Sequence, residues 1–129
     1  MTITVTSALL EGLVNEAELA DPQEACGLLF GDENAVSAFC PTANVHPEPA
    51  THFEIDPQAL IDAHRAMRAG GPRIVGYYHS HPRGLPHPSS TDRAMAAGDG
   101  SIWAIVGQGE VRLWRAGPNG FSTLSYMAV

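Results

Sequence analysis

The chain has 129 residues with 44% hydrophobic and 16% charged side chains, a balance that excludes a disordered tail or a coiled coil and suits one domain spanning residues 1–129. A formal charge of −7, with seven scattered basic residues that are all Arg, speaks against nonspecific attraction to nucleic acid. No stretch approaches the apolar length of a membrane span, and the first residues lack a secretory pattern, so the expected setting is the cytoplasm, with no membrane partner. Cys26 and Cys40 are too few for a disulfide framework and read as core thiols.

In chain order, alternation of Ile3 and Val5 predicts a short edge strand over residues 2–6. Thr6 or Ser7 then caps a helix running to about Ala20, with Leu9, Leu10, Leu13, Val14, Ala17 and Leu19 as its buried stripe. Asp21-Pro22 ends it, because a proline pushes the preceding residue out of the helical region. Residues 25–31 form an apolar run bounded by turn residues, and with 35–40 they predict a hairpin around Asp32-Glu33-Asn34. Residues 41–51, rich in proline and aperiodic, read as a loop bordering the active site, followed by a brief strand at 52–55.

Asp56-Pro57 supplies a cap and a first-turn proline for a second helix, with Leu60, Ile61, His64 and Met67 on one face and Gly70-Gly71-Pro72 as its stop. Residues 74–78 predict a strand leading straight into His79. After a loop at 82–88, Ser89 or Ser90 caps a short helix to about Ala97. Strands are expected at 101–106 and 110–115 around Gly107-Gln108-Gly109, with a last one near 121–126.

The chemistry concentrates in His79-Ser80-His81-Pro82, then six residues, then Ser89-Ser90-Thr91-Asp92. Side chains two apart on an extended chain point the same way, so His79 and His81 can aim their imidazoles at one point. Asp92, in the first turn of the next helix, can bring a carboxylate to it, completing a three-ligand shell with a position left for water. Zinc held so acidifies a bound water and polarises a nearby carbonyl. Glu24, just before a buried strand, is the candidate for moving the proton, and Ser89 for donating to the developing oxyanion.

These residues resemble the JAMM (MPN+) metalloprotease motif, an upstream Glu followed by H-x-H-P-x6-S-x-x-D, and all of its elements are present. The likeness extends to the runs 24–31, 52–57 and 75–78 and covers roughly residues 1–115. It implies an α/β fold of the cytidine-deaminase-like kind, a curved mixed β-sheet flanked by two longer helices, with a short helix after the metal loop. It implies one zinc ion with a bound water on His79, His81 and Asp92, with Glu24 as general acid/base and Ser89 as the oxyanion donor. The implied activity is peptidase or isopeptidase cleavage after the C-terminal Gly-Gly tail of a ubiquitin-like or sulfur-carrier protein, with the tail lying as an added strand beside an exposed sheet edge.

Two other readings use the same residues. A metal-free scaffold would show the loss of a ligand, and none is lost; a non-haem iron oxygenase with two His and one carboxylate leaves Glu24 and Ser89 idle. His46, His52, His64 and His87 read as loop, strand or helix-face residues, with His52 nearest the cleft. Cys26 reads as a buried, inert thiol, Ser90 and Thr91 as structural, and Trp103, Trp114, Tyr77 and Tyr78 as core.

Overall fold

The structure is a computed structural model that describes residues 2–129. Its elements run β1 (Thr2–Val5), α1 (Ser7–Ala20), β2 (Cys26–Asp32), β3 (Ala35–Thr42), α2 (Pro57–Arg68), β4 (Ile74–Ser80), α3 (Ser90–Met95), β5 (Ile102–Gly107), β6 (Glu110–Gly117) and β7 (Gly120–Ala128). The expected mixed α/β sheet is present, and it goes further than a curve: the strands close in the order β1-β3-β2-β4-β5-β6-β7. Closure is the work of β1, which pairs parallel with β7 over four residues and with β3 at Thr4–Ala35 and Val5–Val36. The reading of β1 as an edge strand is therefore corrected: Ile3 and Val5 are buried between two neighbours, and β1 seals the edge.

Alternation divides the sheet into two apolar faces. On the enclosed face, α1 lays Leu9 and Leu13 against Ile3, Val5, Leu29, Val36, Tyr78, Ala104, Leu113 and Leu124, a cluster that draws on all seven strands. Thr6 caps α1 by accepting from the Leu9 N–H, and Asp21 ends it. Leu19 does not join the stripe: it is 82% exposed and Ala20 packs instead, because a step of three from Ala17 stays on the buried face and a step of two leaves it.

On the other face the core is thin. Cys26, Leu28 and Ile55 are buried there, joined by half-buried Phe30, Phe53, Leu60, Ala63 and Tyr77. Helix α2 has no fully buried residue, and Ile61, on the face shared with Leu60, is 45% exposed. Asp56 caps α2 through the Gln58 N–H with Pro57 in the first turn, as the sequence predicts. Among the described residues no helix is long and apolar enough to cross a membrane.

Three local expectations are also corrected. Residues 52–55 form no strand, only an isolated bridge between Asn44 and Ile55. β3 continues through Pro41 to Thr42, which is possible because β1 pairs only with its beginning and leaves that side open where the proline lacks an N–H. Cys40, on this open stretch, is exposed, whereas Cys26 is buried as expected. Among the described residues no named strand stands at a sheet edge along its whole length, so the expected exposed edge is reduced to partial stretches such as this one.

Candidate metal centre

β4 carries His79 as its penultimate residue, paired with Cys26 of β2 on one side and Ile105 of β5 on the other. His81 lies just past the strand, yet its N–H still donates to the Val106 carbonyl at 2.8 Å, so the extended geometry persists and both imidazoles project the same way. Their Nε2 atoms are 3.1 Å apart. Asp92 approaches from α3: Oδ1 is 3.0 Å from His79 Nε2, and Oδ2 is 3.1 Å from His81 Nε2.

Asp92 is fixed by a capping box. Ser89 Oγ accepts from the Asp92 N–H at 3.0 Å, and Asp92 Oδ2 accepts from the Ser89 N–H at 3.0 Å. The helix start thus resolves to Ser89 as cap, and α3 stops at Met95, two residues short of the expected end. Because Ser89 Oγ is an acceptor in this bond, its proton stays free to be donated elsewhere.

The second nitrogen of His81 is also engaged. Nδ1 lies 2.8 Å from the Leu85 carbonyl, which places a proton on Nδ1 and reserves Nε2 as the nitrogen that would offer its lone pair to a metal. This contact depends on Gly107, where a Cβ would come within 2.6 Å of Gly84 O, Leu85 C and Pro86 N: only glycine lets the 82–88 loop close down on β5. His79 is held differently. Its Nδ1 is buried without a partner, and its ring is stacked on Phe53 at 4.3 Å and met edge-on by Trp103 at 5.6 Å. Trp103 is buried as expected and also forms a wall of the site.

The donor set fits a metal. One ligand atom each from His79, His81 and Asp92 lie within 4.8 Å of one another, the closest pairs at 3.0–3.1 Å. A tetrahedral ion with bonds of about 2.0–2.1 Å has ligand-to-ligand edges of about 3.3 Å, close to this spacing. Burial pushes His79 toward its neutral form, against the pull of Asp92. Burial works on His81 in the same direction, but the bonds to Asp92 and Leu85 win and raise it. Asp92 resists its own burial through bonds from both imidazoles and stays ionised well below the usual carboxylate range.

Glu24 sits immediately before β2 and is 6% exposed. Burial pushes its carboxyl up to about 7, with nearby His81 lowering it and Asp92 raising it. Its neighbour Ala25 is tied to β4 twice, by donating to Ser80 Oγ at 2.8 Å and accepting from the Ser80 N–H at 3.1 Å. Ser80, between the two histidines but facing the other way, is therefore the residue that sets Glu24 against the strand bearing the ligands. Ser80, Phe53, Leu85 and Asn44 carry no motif in the sequence; for Ser80 strand alternation is the available signal.

The remaining histidines stay outside the cluster. His52, expected nearest the cleft, stacks on His46 at 4.6 Å, and His87 lies against Trp114 at 5.6 Å. His64 lines a 430 Å³ cavity with Arg73, Asp99 and Arg115 near the start of β4, away from His79 at its end.

Two imidazoles and a carboxylate converging at the end of a strand, beside a buried carboxyl, form a cluster that could hold a metal ion on a mixed α/β barrel. The chain belongs to the prokaryotic homologs of the JAB domain, whose family model matches residues 6–117. It is 42% identical over 86 residues to a desampylase of Haloferax volcanii, a match covering 65% of this chain and 62% of that protein. It is 41% identical over 71 residues to a probable TtuB-protein conjugate cleaving protease of Thermus thermophilus, covering 55% of this chain and 47% of that one. The matched region thus spans about half to under two thirds of these relatives' length. The solution structure of protein DSY2949 from Desulfitobacterium hafniense superposes with a TM-score of 0.85 at 28% identity, covering 99% of this chain and 93% of that one.

Proposed function

We propose that residues 1–129 act as one zinc-dependent catalytic domain that hydrolyses the peptide or isopeptide bond following the Gly-Gly tail of a ubiquitin-like or sulfur-carrier protein. The observation that carries this reading is the convergence of His79, His81 and Asp92 at 3.0–3.1 Å beside a buried Glu24. Two relatives named for a desampylase and for cleaving a protein conjugate support the substrate class. Zinc, when bound, supplies a Lewis acid that acidifies water and polarises the scissile carbonyl.

The chain's own groups do the rest. Asp92 and the two imidazoles would hold the ion, with His81 aligned by Leu85 and His79 by its aromatic walls. Glu24, buried beside the three ligand side chains, takes the proton from the attacking water and returns it to the departing amine. Ser89 spends its lone pair on the Asp92 N–H and directs its proton to the oxygen that gains charge on the substrate carbonyl. The iron-oxygenase reading gives no task to Glu24 or Ser89 and stands against the family match.

The test is incubation of the zinc-loaded protein with Gly-Gly-tailed conjugates, one joined through a lysine side chain and one as a linear fusion. Release of a carrier ending in an intact Gly-Gly, stopped by a chelator and restored by zinc, is the expected result. Products that form equally well in chelator would remove the metal from the reaction.

A further inference from the structure

Asn44 stands outside the motif, half-buried where β3 gives way to the loop, and every polar atom of its side chain is used. Its Nδ2 donates to the carbonyls of Glu24 at 3.1 Å and His52 at 3.0 Å, with Pro49 O a longer third acceptor at 3.4 Å. Its Oδ1 accepts from the N–H groups of His46 and Glu54, both at 3.1 Å. All Nδ2 partners are carbonyls and all Oδ1 partners are N–H groups, so the amide has one orientation.

Two consequences follow from where these bonds end. The Glu24 backbone is gripped on both sides, its carbonyl by Asn44 and its N–H by Pro49 O at 2.7 Å, so the loop fixes the start of the residue that carries the carboxyl. The bonds to His52 O and Glu54 N–H bracket Phe53, whose ring stacks on His79 at 4.3 Å in place of a hydrogen bond to Nδ1. One amide therefore holds both the carboxylate and the aromatic wall of a metal ligand, though it touches neither reacting group.

We propose that Asn44 is a positioning residue that couples Glu24 to His79, aligning the proton carrier with the metal. The proposal rests on the hydrolytic reading of this site. Misplacing a catalytic group by about 1 Å costs on the order of 100-fold in rate, and losing an outer support of a metal ligand costs about 10-fold in metal retention.

The experiment is a double-mutant cycle on zinc-loaded protein: wild type, Asn44→Ala, Glu24→Gln and the pair, each assayed for kcat and KM on a Gly-Gly-tailed conjugate and for zinc release to a chelator. Asn44→Ala is expected to lower kcat about 100-fold with KM changed less than about 3-fold, and to speed zinc release about 10-fold. In the Glu24→Gln background it should cost kcat less than about 3-fold, because the carboxylate it aligns is gone, while zinc release is still accelerated. Phe53→Leu should reproduce the faster zinc release. A full 100-fold loss in the Glu24→Gln background, or a lowered Tm with unchanged kcat and zinc release, overturns the proposal. Should Asn44→Ala fail to fold, Asn44→Asp decides: it keeps the acceptor for His46 and Glu54 and loses the donors to Glu24 and His52, so kcat should fall and zinc release should quicken, and unchanged kcat overturns the coupling. If the wild type cleaves no conjugate, the hydrolytic reading fails by itself, and zinc release still judges the link from Asn44 to His79.

Discussion

The two faces of the barrel divide the labour. The enclosed face packs α1 against residues from every strand and holds the bulk of the buried apolar surface. The α2 face has a core of Cys26, Leu28 and Ile55 with half-buried partners, and on this side Phe53 and Trp103 wall His79. Where apolar packing is deep, polar groups would be costly; where it is thin, hydrogen bonds and aromatic stacking must place the side chains. Stability and chemistry are thereby separable, and variants on the two faces should fail in different ways.

The largest difference is expected from Glu24→Gln, which should keep zinc and substrate binding but lower kcat by about 100- to 10,000-fold. Steady-state kinetics beside zinc content checks it, and normal turnover would remove Glu24 from the mechanism. On the opposite face, Leu13→Ala, at a residue 1% exposed, should destabilise the fold by about 2–4 kcal/mol in urea unfolding while zinc affinity stays within about 2-fold. A matching loss of zinc affinity would show that the faces are not independent.

Much of this division was legible beforehand. The helices announced themselves by Thr6 or Ser7 and by Asp56-Pro57, and His79, His81 and Asp92 by a spacing that an extended strand and a helix start can bring together. What local pattern could not reveal was non-local. β1 looks like an edge until β7, more than 110 residues later, pairs with it through Thr2–Ser125 to Val5–Ala128. Asn44 looks like any polar residue in a proline-rich loop, since its bond to Glu24 spans twenty positions. Leu19 and Cys40 read as interior on apolarity, and both are exposed, Leu19 on α1 and Cys40 on the open stretch of β3.

The pH dependence of the metal-free protein sharpens the comparison from the chemical side. Glu24 is raised from 4.5 to about 7 by burial, so its contribution to stability is fully present below about 4.5 and is lost as pH rises through 7. Metal-free Glu24→Gln should therefore match wild type near pH 4.5 and exceed it by about 1–3 kcal/mol at pH 8. A gap that does not widen with pH would mean the carboxyl is better solvated than its burial indicates. The smallest effect belongs to Tyr78→Phe in the deep core. The Tyr78 hydroxyl is buried without a partner, so its removal should change stability by no more than about 0.5 kcal/mol or raise it slightly. A loss beyond about 1 kcal/mol in thermal unfolding would reveal a partner for that hydroxyl.

The central claim, that two imidazoles and one carboxylate hold a single divalent ion beside Glu24, is tested most directly by titrating cobalt into metal-free protein and following its visible absorption. The account predicts saturation at one equivalent with the strong bands of a four-coordinate ion, displacement by zinc, and no such bands in His81→Ala. Failure of the wild type to take up cobalt or zinc, or a saturating signal that survives in His81→Ala, would contradict it.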